Sequence, residues 1–299
     1  NPLTGVVFPL ITFLFALVAV TVVTEPKAVV WLDDVMRGAA DESGKITLQP
    51  VPAGRRKIRV RAVGFKETTV ALLPVQRGEV KIALTKTTDE AELAFQEAET
   101  WAVRDREKAI AAYQKAVRLR PKYAEAHLSL ARIYLARNDT ENALVAIAAA
   151  RRARPGFAEA SAVEGRIYES LDEEEKAVAS FKRAIAEGRG FQPEAHTGLG
   201  MLYKKKGENF ALSGDFENAG ANFDLAAAEL RKGVTQLSGA PDAKDVYQLL
   251  ADVYYAAKRY AEAIKVYEEF LRIFPDTPEA VTIRSLIVQT RKEMNGDQF

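Results

Sequence analysis

The stretch AEAHLSLARIYLARNDTENALVAIAAARRARP, Ala124 to Pro155, holds two helical patterns back to back. In each half apolar residues recur at three- and four-residue spacing, and Asn138-Asp139-Thr140 supplies turn chemistry between the halves. The segment before it ends in EKAIAAYQKAVRLRP and closes at Pro121, 34 residues ahead of Pro155. Further on, DVYQLLADVYYAAKRYAEAIKVYEEFLRIFP repeats the same pattern and closes at Pro275. A period in the thirties with two helices per unit predicts a solenoid of stacked helix pairs, in which each unit covers the apolar face of the next.

The register places a small residue early in the first helix of each unit and an aromatic three positions on. An alanine opens the second helix, with a bulky residue four later, a second small residue, and a closing proline. One unit supplies Ala131, Tyr134, Ala143, Ile147, Ala150 and Pro155; the next supplies Gly165, Tyr168, Ala177, Phe181 and Ala184. The last supplies Ala251, Tyr254, Ala263, Tyr267, Phe270 and Pro275. This set resembles the tetratricopeptide repeat (TPR) family. The resemblance implies a concave groove lined by the first helix of each pair and a protein as partner. By register the groove positions are Glu125, Leu128, Arg132, Leu135, Glu159, Arg166, Glu169, Glu194, Lys204, Asp245, Asp252 and Tyr255. The Lys/Asn carboxylate clamp of the chaperone-tail type is missing, because Leu128 stands where its first lysine would.

Bulk composition narrows the function classes. Among 299 residues, 42 are Lys or Arg and 41 are Asp or Glu, a net charge of +1, so no broad basic field for nucleic acid exists. With no cysteine there is neither a disulfide nor a thiolate metal site, and two histidines leave little for metal or acid–base work. His127 and His196 occupy equivalent positions of two repeats, which points to packing or groove surface. GLG at Gly198–Gly200 lies inside a repeat helix and lacks the rest of a dinucleotide-binding loop; a tight helix contact is expected there. KKKG at Lys204–Gly207 follows no phosphate-binding loop. No cofactor, metal or catalytic residue is expected, and the chain is expected to be no enzyme. Asn138 heads an Asn-x-Thr triplet in an exposed turn and is a candidate glycosylation site.

Residues 1–26 differ from the rest. From Gly5 to Val23 the sequence GVVFPLITFLFALVAVTVV carries no charge. As a helix it would rise roughly 28 Å, enough to cross a hydrocarbon core. A membrane anchor, a leader, and a retained helix buried among copies of itself all fit this length, and the β-branched content leaves a buried strand open. Phe8, Leu10, Ile11, Phe13, Leu14, Phe15 and Leu17 are candidate assembly residues, and membrane contact through residues 5–23 is the competing expectation.

From Lys27 to about Lys86 the period changes. AVVWL, KITL, KIRVRAV, TTVALL and EVKIAL are short, rich in Val, Ile and Thr, and separated by ESG, VPAG and QRG. Some five strands at this spacing predict a small β-sandwich over 27–86. Asp41, Gly44, Pro52, Gly54, Gly64 and Phe65 fall as in the carboxypeptidase regulatory-like and PEGA modules, which this stretch resembles. That resemblance implies an extracytoplasmic adhesive or spacer domain, without protease activity.

The expected fold is therefore α+β and multidomain: an apolar N-terminal helix (1–26), a small β-sandwich (27–86), five TPR-like repeats (87–275) and a capping helix (276–299) with Asp276 or Thr277 as its N-cap. The first repeat is atypical, with Glu97 at the small position and Trp101 one place out of register, and its first helix is expected to pack on the β-domain across the short linker TKTTD. Asp172 is expected to cap the second helix of repeat three. Repeat four carries seven extra residues, Glu208 to Gly214, read as a lengthened helix that presents Phe210 and Leu212 for contact. Arg231 to Lys244 is read as irregular. Two functions remain open at this point. One is a cell-surface subunit that self-assembles head-to-tail into a filament or tube. The other is a membrane-tethered periplasmic adaptor that holds a different protein in its groove.

Overall fold

The computed structural model describes residues 19–296, so the candidate assembly positions Phe8, Leu10, Ile11, Phe13, Leu14, Phe15 and Leu17 lie outside the described residues. Seven strands come first: β1 (Val20–Val23), β2 (Val29–Leu32), β3 (Val35–Ala39), β4 (Lys45–Leu48), β5 (Arg56–Arg61), β6 (Thr68–Leu72) and β7 (Gly78–Lys81). They form two sheets, ordered β4-β1-β7 and β3-β2-β5-β6. Period-two alternation decides what each strand buries. In β5, Ile58 and Val60 face inward, and Lys57, Arg59 and Arg61 face the other side. Val20 and Val22 of one sheet and Val30, Leu32, Ile58 and Val60 of the other share a single core, as a sandwich requires.

Two strands, β1 and β3, add to the five expected over 27–86. The apolar run expected to be helical to Val23 ends instead in β1, paired with Lys45–Leu48 and Gly78–Lys81, so the β-domain starts ahead of Lys27. Four consecutive β-branched residues, Val20 to Val23, favour that outcome. Strand β3 was hidden because Arg37 and Gly38 break its alternation, and its pairing with β2 shifts register between Val30 and Trp31. The turn before β4 matches its motif. The Asp41 carboxylate accepts from the backbone N–H of Ser43 and Lys45 at 2.8 and 2.9 Å. Gly44 takes φ +78°, where a Cβ would lie 2.2 Å from the Thr24 carbonyl oxygen.

The helices follow in pairs: α1 (Glu90–Trp101) with α2 (Arg106–Leu119), α3 (Ala124–Ala136) with α4 (Thr140–Ala153), and α5 (Ala158–Ser170) with α6 (Glu174–Glu187). Next come α7 (Pro193–Leu212) with α8 (Phe216–Leu237), α9 (Ala243–Ala256) with α10 (Tyr260–Ile273), and last α11 (Glu279–Asn295). Asp105, Asp139 and Asp215 cap the second helices of their pairs by accepting from the N–H three residues on. In α1 the buried small residue is Ala98, three before Trp101, so the spacing is kept and the turn to Asp105 is one residue shorter than in repeat two. The seven extra residues of repeat four do lengthen α7, which runs helical to Leu212.

Three helix ends differ from expectation. Arg231 to Leu237 continues α8, because Gly233 fits against Thr197 and Val246 and no breaker comes before Ser238-Gly239. Asp172 takes φ +55° and pairs with Lys205 at 2.9 Å, leaving Glu173 as the N-cap of α6. The last helix begins at Glu279 with Pro278 as its N-cap; the Thr277 hydroxyl donates back to the Phe274 carbonyl.

The β-domain is bonded to the array at two places, α1 and the turn between α8 and α9. At the near end Gln96 of α1, 2% exposed, accepts from Gly64 N–H at 2.8 Å and donates to Phe65 O at 2.7 Å. The Arg61 guanidinium lies 4.6 Å from the Phe95 ring centre and 5.3 Å from that of Trp31, and bonds Glu67 and Glu99. Linker residues are tied down as well: Lys66 N–H donates to Thr85 O and Thr87 N–H to Gly64 O. At the α8–α9 turn Arg37 Nη1 donates to the Ser238 carbonyl at 2.6 Å, and Val35 sits in the core shared by α8, α9 and α10. Arg61→Ala would leave Glu99 without its cation and Glu67 with Arg59 alone. Charged hydrogen bonds are worth roughly 1.5–3 kcal/mol each, so native-state trypsin cleavage at Lys86 is expected to speed up at least about tenfold. An unchanged cleavage rate would show that this joint does not hold the linker.

Candidate binding groove

Helices α3, α5, α7 and α9 present one face each to the concave side, and the β2–β3 hairpin enters that side opposite them. Asp33 and Asp34 form its tip at φ +49° and +65°, braced by Arg56 and by Lys57 N–H on Asp33. Trp31, Asp34, Val35 and Met36 then become part of the groove wall. What remains is a half-open cavity of about 1210 Å³, walled on one side by the hairpin and reaching Leu135, Phe157, Phe191, Met201 and Leu249.

Charge inside it is uneven. Arg132 makes a two-pronged contact with Glu194, at 3.2 and 2.6 Å, and Arg166 reaches the same carboxylate at 3.4 Å. Burial works against the Glu194 charge, but the two arginines outweigh it and hold its pKa below the ordinary value. Glu159 and Glu169 go the other way: burial raises both. Asp242 is raised by burial and then by Asp245 and Glu194. Among the described residues none of Glu159, Glu169, Asp242 or Asp245 has an ion-pair partner. The cavity thus offers unneutralised carboxylates beside apolar walls.

These shifts fix the sign of the pH dependence. Glu194 stabilises the fold above the ordinary carboxylate pKa, and that contribution is lost as pH falls through its lower folded value. Glu159, Glu169 and Asp242 are better protonated in the folded chain, so acidification through their raised values adds stability. The urea midpoint is expected to rise on mild acidification, as these three carboxylates take up protons, and to fall on further acidification, as the Glu194 contribution is lost. A midpoint that only declines on acidification would contradict this distribution.

Three family models match the helical region: a TPR repeat over residues 105–138, and tetratricopeptide repeats over 134–190 and 244–285. The helices thus form a TPR-like array. Yeast Tom70 has a similar structure, with TM-score 0.55 and 15% identity over 70% of this chain; the match spans 41% of Tom70. A thermophilic TPR protein of Thermus thermophilus, TTC0263, gives 0.49 at 19% identity, covering 67% of this chain and 98% of that one. The MamA protein gives 0.44 at 20% identity, covering 63% and 94%. At these identities the likeness concerns the fold. No curated protein matches the chain.

Of the TPR positions assigned to the groove, Arg132, Leu135, Glu159, Arg166, Glu169, Glu194 and Asp245 line the cavity. Leu128 is instead buried in the core of the first repeats, since its face of α3 turns toward the neighbouring helices. Lys204 pairs with Glu208 at 2.5 Å, Tyr255 donates to Glu293 at 2.6 Å, and Glu125 pairs with Arg154. Asp252 is raised by burial and stands near Lys204 and Glu208. Lys204, Asp252 and Tyr255 are not part of the cavity wall. His196 is buried and meets Glu229 at 2.6 Å, and His127 meets the Pro121 carbonyl at 2.9 Å; both serve local packing. Asn138 is exposed at φ +62° in its turn. Sequence reasoning missed Trp31, Asp34, Val35 and Met36, because nothing in a local pattern says that a hairpin will lie in a groove a hundred residues away. The matched tetratricopeptide repeats support a protein–protein interaction scaffold.

Proposed function

We propose that this scaffold is a non-enzymatic structural subunit of the cell surface that assembles with copies of itself into a filament or tube. The observation that carries the reading is the β-domain bonded to the array at α1 and again at the α8–α9 turn, with its hairpin in the groove. A chain whose own hairpin forms one wall of its groove leaves less of that groove to a partner and is better suited to meeting neighbours through its outer faces. Such faces exist. Phe210 is half-buried against the core of the last repeats, whereas Leu212 is 87% and Phe216 74% exposed beside the turn between α7 and α8. The apolar run from Gly5 adds a segment that cannot rest in water. The PEGA-like turn set of the β-domain supports an extracytoplasmic location.

The cavity favours a second reading, a membrane-tethered periplasmic adaptor that holds a basic segment of another protein against Glu159, Glu169 and Asp242. The test is Leu212→Glu combined with Phe216→Glu in the full chain. Assembly followed by sedimentation is expected to need at least about tenfold more protein, as loss of two apolar side chains at a contact implies. Unchanged assembly would rule out the α7–α8 tip as a contact between copies.

A further inference from the structure

The two ends of the array carry complementary faces. A terminal solenoid helix left in water normally turns a polar face outward. Helix α11 buries Ala280, Ile283, Ile287 and Thr290 but leaves Val281 68% and Val288 56% exposed. Arg284 stands between them on the same stripe, exposed and without an ion-pair partner among the described residues. At the other end α1 uses Ala91, Ala94, Phe95 and Ala98 for the core and Glu92, Gln96 and Glu99 for the β-domain. That leaves Glu90, Leu93 and Glu97 on its remaining stripe, all exposed, the two carboxylates again unpaired among the described residues.

We infer that α11 of one copy docks on the Glu90–Leu93–Glu97 stripe of α1 in the next. Arg284 then lies between the two carboxylates, and Val281 and Val288 gain apolar cover near Leu93. Charge excludes the symmetric alternatives: pairing α11 with α11 sets Arg284 against Arg284, and pairing α1 with α1 sets four carboxylates together. The contact is heterologous and propagates. A single helix face is small against the roughly 1,200–2,000 Å² of a stable interface, so it orients neighbours that the apolar run holds together. The inference rests on the self-assembly reading.

Charge exchange in the full chain tests it. Arg284→Glu is expected to raise the protein concentration needed for assembly at least about tenfold. Adding Glu90→Arg and Glu97→Arg to that variant is expected to restore assembly. The chain has no cysteine, so Leu93→Cys together with Val288→Cys gives a second measurement: a ladder of disulfide-linked multimers on mild oxidation. Wild-type polymers that ignore both charge reversals, or Val288→Cys alone giving linked dimers as readily, would overturn the end-to-end contact and leave self-assembly standing. Wild-type chains that stay single at every concentration would overturn both.

Discussion

Phe181→Ala is expected to cost about 3–5 kcal/mol of folding stability, the range for removing a fully buried phenylalanine ring. Phe181 has no exposed surface and lies at the middle of the array, in a small core with Ala162, Ala177, Ala184, Leu199 and Leu202. Two helices approach it through glycine. A Cβ on Gly165 would sit 2.6 Å from the ring, and one on Gly198 2.3 Å from its tip. The ring is therefore seated between α5 and α7 with no spare volume, and an alanine leaves a gap that neither helix can close without moving the other. This core lies between the larger ones of the first and last repeats. In a solenoid each unit is stabilised through its neighbours, so a gap here weakens the coupling of both halves. Urea unfolding of the variant should show the loss as a lower midpoint. A change under about 1 kcal/mol would mean the helices collapse onto the gap and that the glycine contacts are not close-packed.

The second large effect falls on the N-terminal run. Phe13→Asp with Leu14→Asp is expected to abolish polymers while leaving a soluble, helical single chain. Burying each large apolar side chain is worth roughly 1.5–3 kcal/mol, and a buried unpaired carboxylate adds a further penalty, so the concentration needed for assembly should rise at least about a hundredfold. The described part of the chain folds around its own cores. Polymers that persist in the variant would rule out the run as a joint.

The repeat positions were legible because each is a local fact. Ala131, Tyr134, Ala143 and Ala150 announce a helix pair within 30 residues of chain, and the turn set of the β-domain is equally local. Gly198 and Gly200 were readable as a tight contact because they lie in helical register; the structure supplies Phe181 and Leu230 as the groups they admit. What stayed hidden depends on distance along the chain. Arg37 and Ser238 are 201 residues apart, and no pattern near either shows that they meet. The filling of the groove follows from that contact, so the cavity, its hairpin wall and its uncompensated carboxylates were all beyond reach. Strand β1 was hidden for a different reason. An apolar run of this length has no turn residue to mark where one kind of structure gives way to another, and only pairing with β4 and β7 fixes the change.

If a chain whose groove is partly walled by its own β-domain meets other copies through its outer faces, as proposed, its native form is a polymer. Negative-stain electron microscopy of the native material tests this most directly. Ordered polymers built from this chain alone are expected, with an axial repeat set by one subunit. Discrete particles that contain a second polypeptide, at every concentration of the chain, would contradict self-assembly and favour the adaptor reading.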